Sequence, residues 1–253
     1  MSRAKYVTGL RTVEQLLAQP DADIVKLYAE YQTSNPRLEA IIEQARTRGI
    51  DVQSANRARL KQIAGEARHQ GVVAEIRRST TLDEAGLRTL VEERLAAEDA
   101  PPILLLVLDG IQDPHNLGAC LRTADAAGVD AVVVPRSGGA GLGPTVSKVA
   151  AGAAESVPFA AVANLGKVLG WIGDYGIRRI GTSDSAKQSL YDADLAGHLA
   201  FVMGREHRGL RPHIVERCDT LVQLPMQGVV ASLNVSVATG ICLFEAARQR
   251  RPA

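Results

Sequence analysis

The chain has 253 residues, 46% of them hydrophobic and 23% charged, and a formal net charge of +1. That length buries one large core or two modest ones, and the composition is that of a globular protein, which excludes disorder as the main state. The balanced charge excludes attraction of nucleic acid by the overall field, so any RNA or DNA must be met by a local basic surface. The opening "MSRAKYVTGL" has no apolar signal core, and the strongest apolar run, "ILLLVL" from Ile103, is too short to span a bilayer. Cys120, Cys218 and Cys242 are widely separated and show no C-x-x-C spacing. Reduced thiols in a cytoplasmic protein without a membrane role are expected.

In chain order, the residues up to about 76 predict a small α/β unit. "TVEQLLAQ" reads as a helix and "DIVKLYAE" as a strand, followed by "PRLEAIIEQARTRGI", a helix with Leu38, Ile41, Ile42 and Ala45 on one face. "DVQSA" is a short strand, "RARLKQIAG" a helix and "GVVAEIR" a strand. Residues 79–102 carry many charges, a weak stripe of Leu87, Leu90, Val91 and Leu95, and a closing Pro pair. They read as a partly helical linker containing the domain boundary.

From Ile103 the pattern becomes βαβ. "ILLLVLD" is continuous enough to be buried on both faces, "LGACLRTADAAG" is a helix and "DAVVVP" a second buried strand, so a parallel sheet is predicted. Further strands are expected at "RRIGTS", "LAFVMG" and "TLVQLP". Helices are expected at "PTVSKVAAGAAES", "LGKVLGWIGDYG" and "NVSVATGICLFEAARQRR".

The Gly-rich loop "SGGAGLGPT" fails as a dinucleotide fingerprint, because the third glycine of G-x-G-x-x-G would fall on Pro144 and the loop follows the second strand. No Walker-type P-loop occurs. Asp113, Pro114, His115 and Asn116 form a turn at a strand's carboxyl end, with Asn116 placed to cap the next helix. Arg122, set in a small-residue helix, is either a solvated face residue or a fixed cation suited to phosphate or a developing oxyanion. "FVMGREHRGLRP" puts Gly204, Glu206 and Gly209 in a tight loop. His207 and His213 lack a third convergent ligand, so no metal is expected. In "LPMQGVVASLNVSVATGICLFEAARQR", Ser232 and Asn234 cap a helix carrying Val237, Ile241 and Phe244. The three polar groups Ser232, Asn234 and Ser236 exceed what capping requires, and the surplus points to a site.

Three blocks at successive strand ends resemble the motifs of the SpoU (TrmH) class of SPOUT RNA 2'-O-methyltransferases. They are N-x-G-x-x-x-R at Asn116, Gly118 and Arg122, G-x-E-x-x-G-L from Gly204 to Leu210, and L-P-M followed by S-L-N-V-S-V-A from Ser232 to Ala238. The N-terminal unit, beginning "YVTGLRTVEQLL" and ending "HQGVVAEI", is similar to the L30e-like RNA-binding domain of a subgroup that methylates a guanosine in the P-site loop of 23S rRNA. The resemblance implies an α/β protein with a smaller N-terminal L30e-like α/β domain at 1–78, a linker at 79–102 and a trefoil-knotted parallel-sheet SPOUT domain at 103–253. It also implies a homodimer with an active site shared between subunits, 23S rRNA as partner, and S-adenosyl-L-methionine held mainly by backbone groups. By motif position the cofactor contacts are Gly204, Leu224 and Leu233, with Thr182 and Met226 beside them. Gly143 and Pro144 depart from the pattern before "SKVAAGA", which puts that loop's conformation in question.

Methyl transfer to a ribose hydroxyl requires positioning and removal of a proton from a very weak acid. A guanidinium is a poor proton acceptor, so Arg122 is expected to stabilise the nascent alkoxide and a neighbouring phosphate. Asn116, Glu206, Ser232 and Asn234 would orient Arg122, the ribose and the loops. Arg46, Arg48, Arg57, Arg59 and Lys61 form a basic stretch suited to RNA phosphates or to a solvated helix face. A tRNA or another rRNA ribose as substrate, and a catalytically silent RNA-binding protein, stay open as alternatives.

Overall fold

The computed structural model describes residues 5–18, 22, 24–30, 34–65, 67–76, 81–206 and 208–251. The chain divides into two units, Met1–Thr80 and Thr81–Ala253.

The first unit runs β1 (Lys5–Thr8), α1 (Leu10–Ala18), β2 (Ile24–Glu30), α2 (Pro36–Thr47), β3 (Asp51–Ala55), α3 (Arg57–Ala64) and β4 (Val72–Ile76). Its four strands lie in the order β1-β4-β2-β3. Strand β4 is antiparallel to both neighbours, while β2 and β3 are parallel. Leu16 and Leu17 of α1 and Leu38, Ile41 and Ala45 of α2 pack on one face with Leu27 and Val72, and Leu60 of α3 closes the other against Tyr28 and Val73. Asn35 and Asn56 cap α2 and α3 by accepting from the amides of Arg37 and Arg59, each such cap contributing about 1 kcal/mol. Strand β1 has no sequence prediction; four residues are too few to show a period, and pairing with β4 makes them a strand.

The second unit begins at β5 (Thr81–Leu82) and α4 (Glu84–Ala96). There follow β6 (Leu104–Leu108), α5 (Pro114–Ala126), β7 (Ala131–Pro135), α6 (Pro144–Ala150), α7 (Ala153–Ser156), β8 (Phe159–Val162) and α8 (Leu165–Asp174). The chain ends with β9 (Arg178–Thr182), β10 (Gln188–Ser189), β11 (Leu199–Met203), α9 (Pro212–Val215), β12 (Thr220–Gln223) and α10 (Val235–Gln249). All eight strands pair in parallel, in the order β10-β12-β9-β11-β6-β7-β8-β5. The unbroken apolar run at β6 has its physical cause here. Leu104, Leu106 and Leu108 face a core with α5 and α10, while Ile103, Leu105 and Val107 face a second core with α4 and α8.

Two sequence expectations change. Residues 81–96, read as linker, are part of this unit: β5 pairs with β8, and Leu87 and Val91 are fully buried under the sheet. Their many charges hid the stripe, yet the charges sit on the solvent side, and Arg94 reaches Asp130 at 2.6 Å. The expected boundary at residue 78 lies outside the described residues. The single helix expected at "PTVSKVAAGAAES" is two, because Ala151 (φ 54°) and Gly152 (φ 105°) turn left-handed between α6 and α7.

The far end of α10 is latched. Arg250 donates to the carbonyls of Leu195, Pro102, Ile103 and Gly197. Burial lowers its pKa from the usual guanidinium value.

Candidate active site

Strands β12, β9, β11 and β6 are neighbours, and their carboxyl ends carry Leu224, Thr182, Gly204 and Asp109 in or directly after each strand. Ligands of open parallel sheets bind at this edge. Thr182 lies level with Val222, and the Ser183 amide donates to the Val222 carbonyl at 3.0 Å, so the strand ends are aligned. Arg205 and Gly209 close a hairpin through reciprocal 3.0 Å bonds. It folds back over Gly204, where a Cβ would lie 2.3 Å from the Gly209 carbonyl carbon and 2.4 Å from the Leu210 nitrogen. Only glycine fits.

A chain of side-chain hydrogen bonds joins the three motif blocks. Asn116 Nδ2 donates to Glu206 Oε1 at 2.9 Å, and Asn234 Nδ2 donates to Asn116 Oδ1 at 3.0 Å. Asn234 Oδ1 in turn accepts from the amide and hydroxyl of Ser236, at 2.9 and 2.6 Å. Each amide orientation fixes the next, since flipping either asparagine would oppose two oxygens or two donors. Ser236 is the end that pins Asn234.

Asn116 is not the cap of its helix. Asp113 is, accepting from the His115 amide at 2.8 Å, and that bond lowers the Asp113 carboxyl pKa. Pro114 supplies a preset φ at the first helical position and so starts α5 earlier than the sequence reading did. Asn116 is thereby released for the site. Gly118 belongs to packing: a Cβ there would lie 2.7 Å from Val149 Cβ, so it sets the closeness of α5 and α6. Gly143 and Pro144 make an ordinary helix start, extended at φ −155° with Pro at N1 of α6.

Arg122 is exposed on α5 and makes no hydrogen bond or ion pair with a described residue. Six residues of helix set it about 9 Å along and about 120° around from Asn116, so one chain does not bring it into the Asn116–Glu206–Asn234 chain. Ser232 and Leu233 are likewise exposed and unbonded, and Met226 is half-buried. From Leu224 to Leu233 the peptide groups make no hydrogen bond with a described residue, and Val229 and Val230 stand in solvent.

Asp109 was not singled out in the sequence. It is fully buried, and Arg211 binds it through its amide at 3.0 Å and Nε at 2.8 Å. This pair anchors the segment after the Gly204 hairpin to the end of β6. The signal was a carboxylate directly after a wholly apolar strand, together with an arginine after a glycine turn. Arg211→Ala, which leaves a buried carboxylate unpaired, is expected to cost about 3–5 kcal/mol in urea unfolding; a smaller loss than about 1 kcal/mol would show that the pair does not anchor the loop.

Burial pushes the Cys120 thiol up to about 11 and the Cys218 and Cys242 thiols to about 12, and all three are free. Among the described residues no group of three His, Cys, Asp or Glu could hold a metal ion; His207 lies outside them. No helix among the described residues is long and apolar enough to cross a membrane.

A parallel sheet whose loops converge at its carboxyl edge defines an α/β ligand-binding protein. Two family models match the chain: the SpoU rRNA Methylase family over residues 103–244, and RNA 2'-O ribose methyltransferase substrate binding over residues 6–82. The chain is 47% identical over 251 residues to the 23S rRNA (guanosine-2'-O-)-methyltransferase RlmB of Shewanella oneidensis, covering 99% of this chain and 100% of that one. A crystal structure of an RNA 2'-O ribose methyltransferase matches with TM-score 0.71 and 30% identity, over 98% of this chain and 89% of that one. An AdoMet-bound rRNA methyltransferase from Sinorhizobium meliloti matches with TM-score 0.74 and 25% identity, over 99% and 89%. The chain belongs to the SpoU rRNA methylase family.

Proposed function

We propose that the chain transfers a methyl group from S-adenosyl-L-methionine to the ribose 2'-OH of a guanosine in 23S rRNA, in the cytoplasm. The observation that carries this is the bonded chain Asn234–Asn116–Glu206, which ties all three motif blocks into one site at the carboxyl edge of the sheet. The residues present fit the cofactor. A glycine cradle at Gly204 and a run of unengaged peptide groups from Leu224 to Leu233 suit a nucleoside held by backbone donors and acceptors. Gly204, Leu224 and Leu233 would hold it, with Thr182 and Met226 alongside. When bound, S-adenosylmethionine supplies a methyl group on a sulfonium, an electrophile that needs neither metal nor covalent enzyme intermediate.

The chain's own residues handle the ribose. Glu206 Oε1 is taken by Asn116, and Oε2 is open to accept from a ribose hydroxyl or a guanidinium. Arg122 stabilises the oxyanion that develops at the 2'-oxygen and holds the adjacent phosphate, and the proton leaves through that phosphate or water. Ser232 adds a hydroxyl at the rim.

Arg122 reaches this site from a second copy of the chain. The reading is supported by its exposure on α5 and by α10, which packs beside α5, with Cys120 Sγ 3.6 Å from Thr239 Oγ1. The outer face of α10 leaves Val237 and Phe244 each 50% exposed, apolar area that a homodimer would cover. A trefoil knot, with α10 drawn through the preceding loops, is consistent with the Arg250 latch and completes the proposal. In the domain organisation that supports substrate choice, the first unit binds RNA and the second carries out transfer.

Incubating the protein with unmodified 23S rRNA transcript and a radiolabelled methyl donor, then mapping 2'-O-methyl groups, tests the reading. One methylated guanosine is expected. Base methylation, or no incorporation, would overturn it.

A further inference from the structure

The basic stretch read from the sequence is not one surface. Arg48 donates to the Leu17 carbonyl and Arg59 to Gln62 Oε1 at 2.8 Å, so both are engaged within the fold. Arg57 and Lys61 instead line a cleft of about 870 Å³ inside the first unit, where they are joined by Arg68 and His69. Among the described residues its one acidic side chain, Glu30, is held by Arg57 at 3.0 Å. Lys61 and Arg68 have no hydrogen bond or ion pair with a described residue. The first residue of α1, Leu10, and the N-cap of α2, Asn35, also open onto the cleft, which adds the positive ends of two helices.

The wall between Arg68 and β4 is held in a costly shape. Val72 N donates to His69 O at 2.9 Å, closing a turn whose two central residues, Gln70 (φ 50°) and Gly71 (φ 88°), are both left-handed. Turns of that kind favour Asn, Asp or Gly at the first of these positions. Gln70 is one of two non-glycine residues with positive φ among the described residues. The strain sets out donors. Gln70 Oε1 takes the Leu10 amide at 3.3 Å, which leaves its Nε2 open. His69 Nδ1 accepts from the Gly71 amide at 3.1 Å, so in the neutral ring the proton sits on Nε2. Gly71 holds a left-handed φ of 88°, which favours glycine, and a Cβ there would press on Leu38 Cδ2 at 3.0 Å and Glu30 Oε2 at 3.2 Å.

We propose that this cleft captures one unpaired nucleotide of the RNA substrate, with Lys61 and Arg68 on its phosphate and the His69–Gln70 turn donating to its base or ribose. The volume is in the range of pockets that enclose a ligand of that size, and protein recognition of RNA sequence works on unstacked single-stranded bases. A flat phosphate-tracking surface would need neither the recess nor the strained turn. The proposal rests on the RNA-modifying reading above and names the site in the first unit by which the substrate is chosen.

Binding of full-length protein to unmodified 23S rRNA transcript, measured over a salt series, tests it. The double variant Lys61→Ala, Arg68→Ala is expected to weaken binding about 10- to 100-fold and to lower the slope of log K against log salt by about 0.7, for the one phosphate they hold. KM for rRNA should rise in step, while calorimetric affinity for S-adenosylmethionine holds. Gln70→Gly relieves the left-handed strain, so it should raise Tm and yet weaken rRNA binding several-fold; a turn with only a structural role would give the first effect without the second. A short single-stranded oligoribonucleotide should compete with rRNA, and the same strand annealed to its complement should not. Unchanged affinity and slope in the double variant, or equal competition by the duplex, would overturn the proposal. Should the protein bind rRNA through these residues yet transfer no methyl group, the reading of the second unit fails and this one stands.

Discussion

Arg122→Ala is expected to lower the single-turnover rate of methyl transfer by about 10²–10³, equivalent to about 3–4 kcal/mol of transition-state stabilisation lost with one charged donor. The melting temperature should not move, because Arg122 is exposed and makes no bond with a described residue of its own chain. That combination separates a chemical role from a structural one. Arg122→Lys sharpens the test. If the guanidinium holds both the nascent alkoxide and a phosphate, a point-charge ammonium cannot span both and the variant stays well below wild type. Near-wild-type turnover with lysine would remove the requirement for a fork-shaped donor. Mixing an Arg122→Ala protein with a Glu206→Gln protein adds a readout of subunit sharing. Recovery of activity in the mixture is expected if Arg122 serves the neighbouring chain's site, and no recovery would place both groups in one chain.

Gly204→Ala carries the other large effect. The added Cβ would fall 2.3 Å from the Gly209 carbonyl carbon, and backbone, unlike a flexible side-chain tip, cannot step aside cheaply. Opening the 205–209 hairpin should cost about 3 kcal/mol and reduce S-adenosylmethionine affinity at least about tenfold, or about 1.4 kcal/mol. Gly209→Ala is the matched control. Its φ of 62° is unfavourable for alanine, but nothing lies within 4 Å of the new Cβ, so only about 1–2 kcal/mol of backbone strain is expected. Calorimetric titration together with urea unfolding reads both. A Gly204→Ala protein that binds the cofactor like wild type would exclude the cradle.

The parallel sheet was legible because β6 and β7 are buried on two faces, and a strand in that setting writes itself as a continuous apolar run. Short strands were not. The two residues of β5 become a strand only through β8, which itself received no prediction, and the four of β1 only through β4. Charge density misled at 84–96, where α4 buries just Leu87 and Val91 fully and interleaves them with Glu84, Arg88, Glu92, Glu93 and Arg94. At the site, the motif blocks were legible by resemblance and the partners inside them were not. The bond from Asn116 to Glu206 follows from Pro114 moving the helix start, and the Asp109–Arg211 pair joins residues 102 apart in sequence. Neither is written in local periodicity. The basic stretch divided for a similar reason, since helix geometry turned Arg59 and Lys61 to different neighbours.

The link from Asn116 to Asn234 spans 118 residues, and the Arg250 latch reaches 147 residues back to the Ile103 carbonyl. Both wait on residues translated long after their partners. The first unit has its own cores within Met1–Thr80 and can fold while the rest is still being translated. Its Lys61–Arg68 cleft can thus form early, whereas the chain Asn116–Glu206–Asn234 cannot close before α10 is made. The first unit can therefore be complete before the candidate site is.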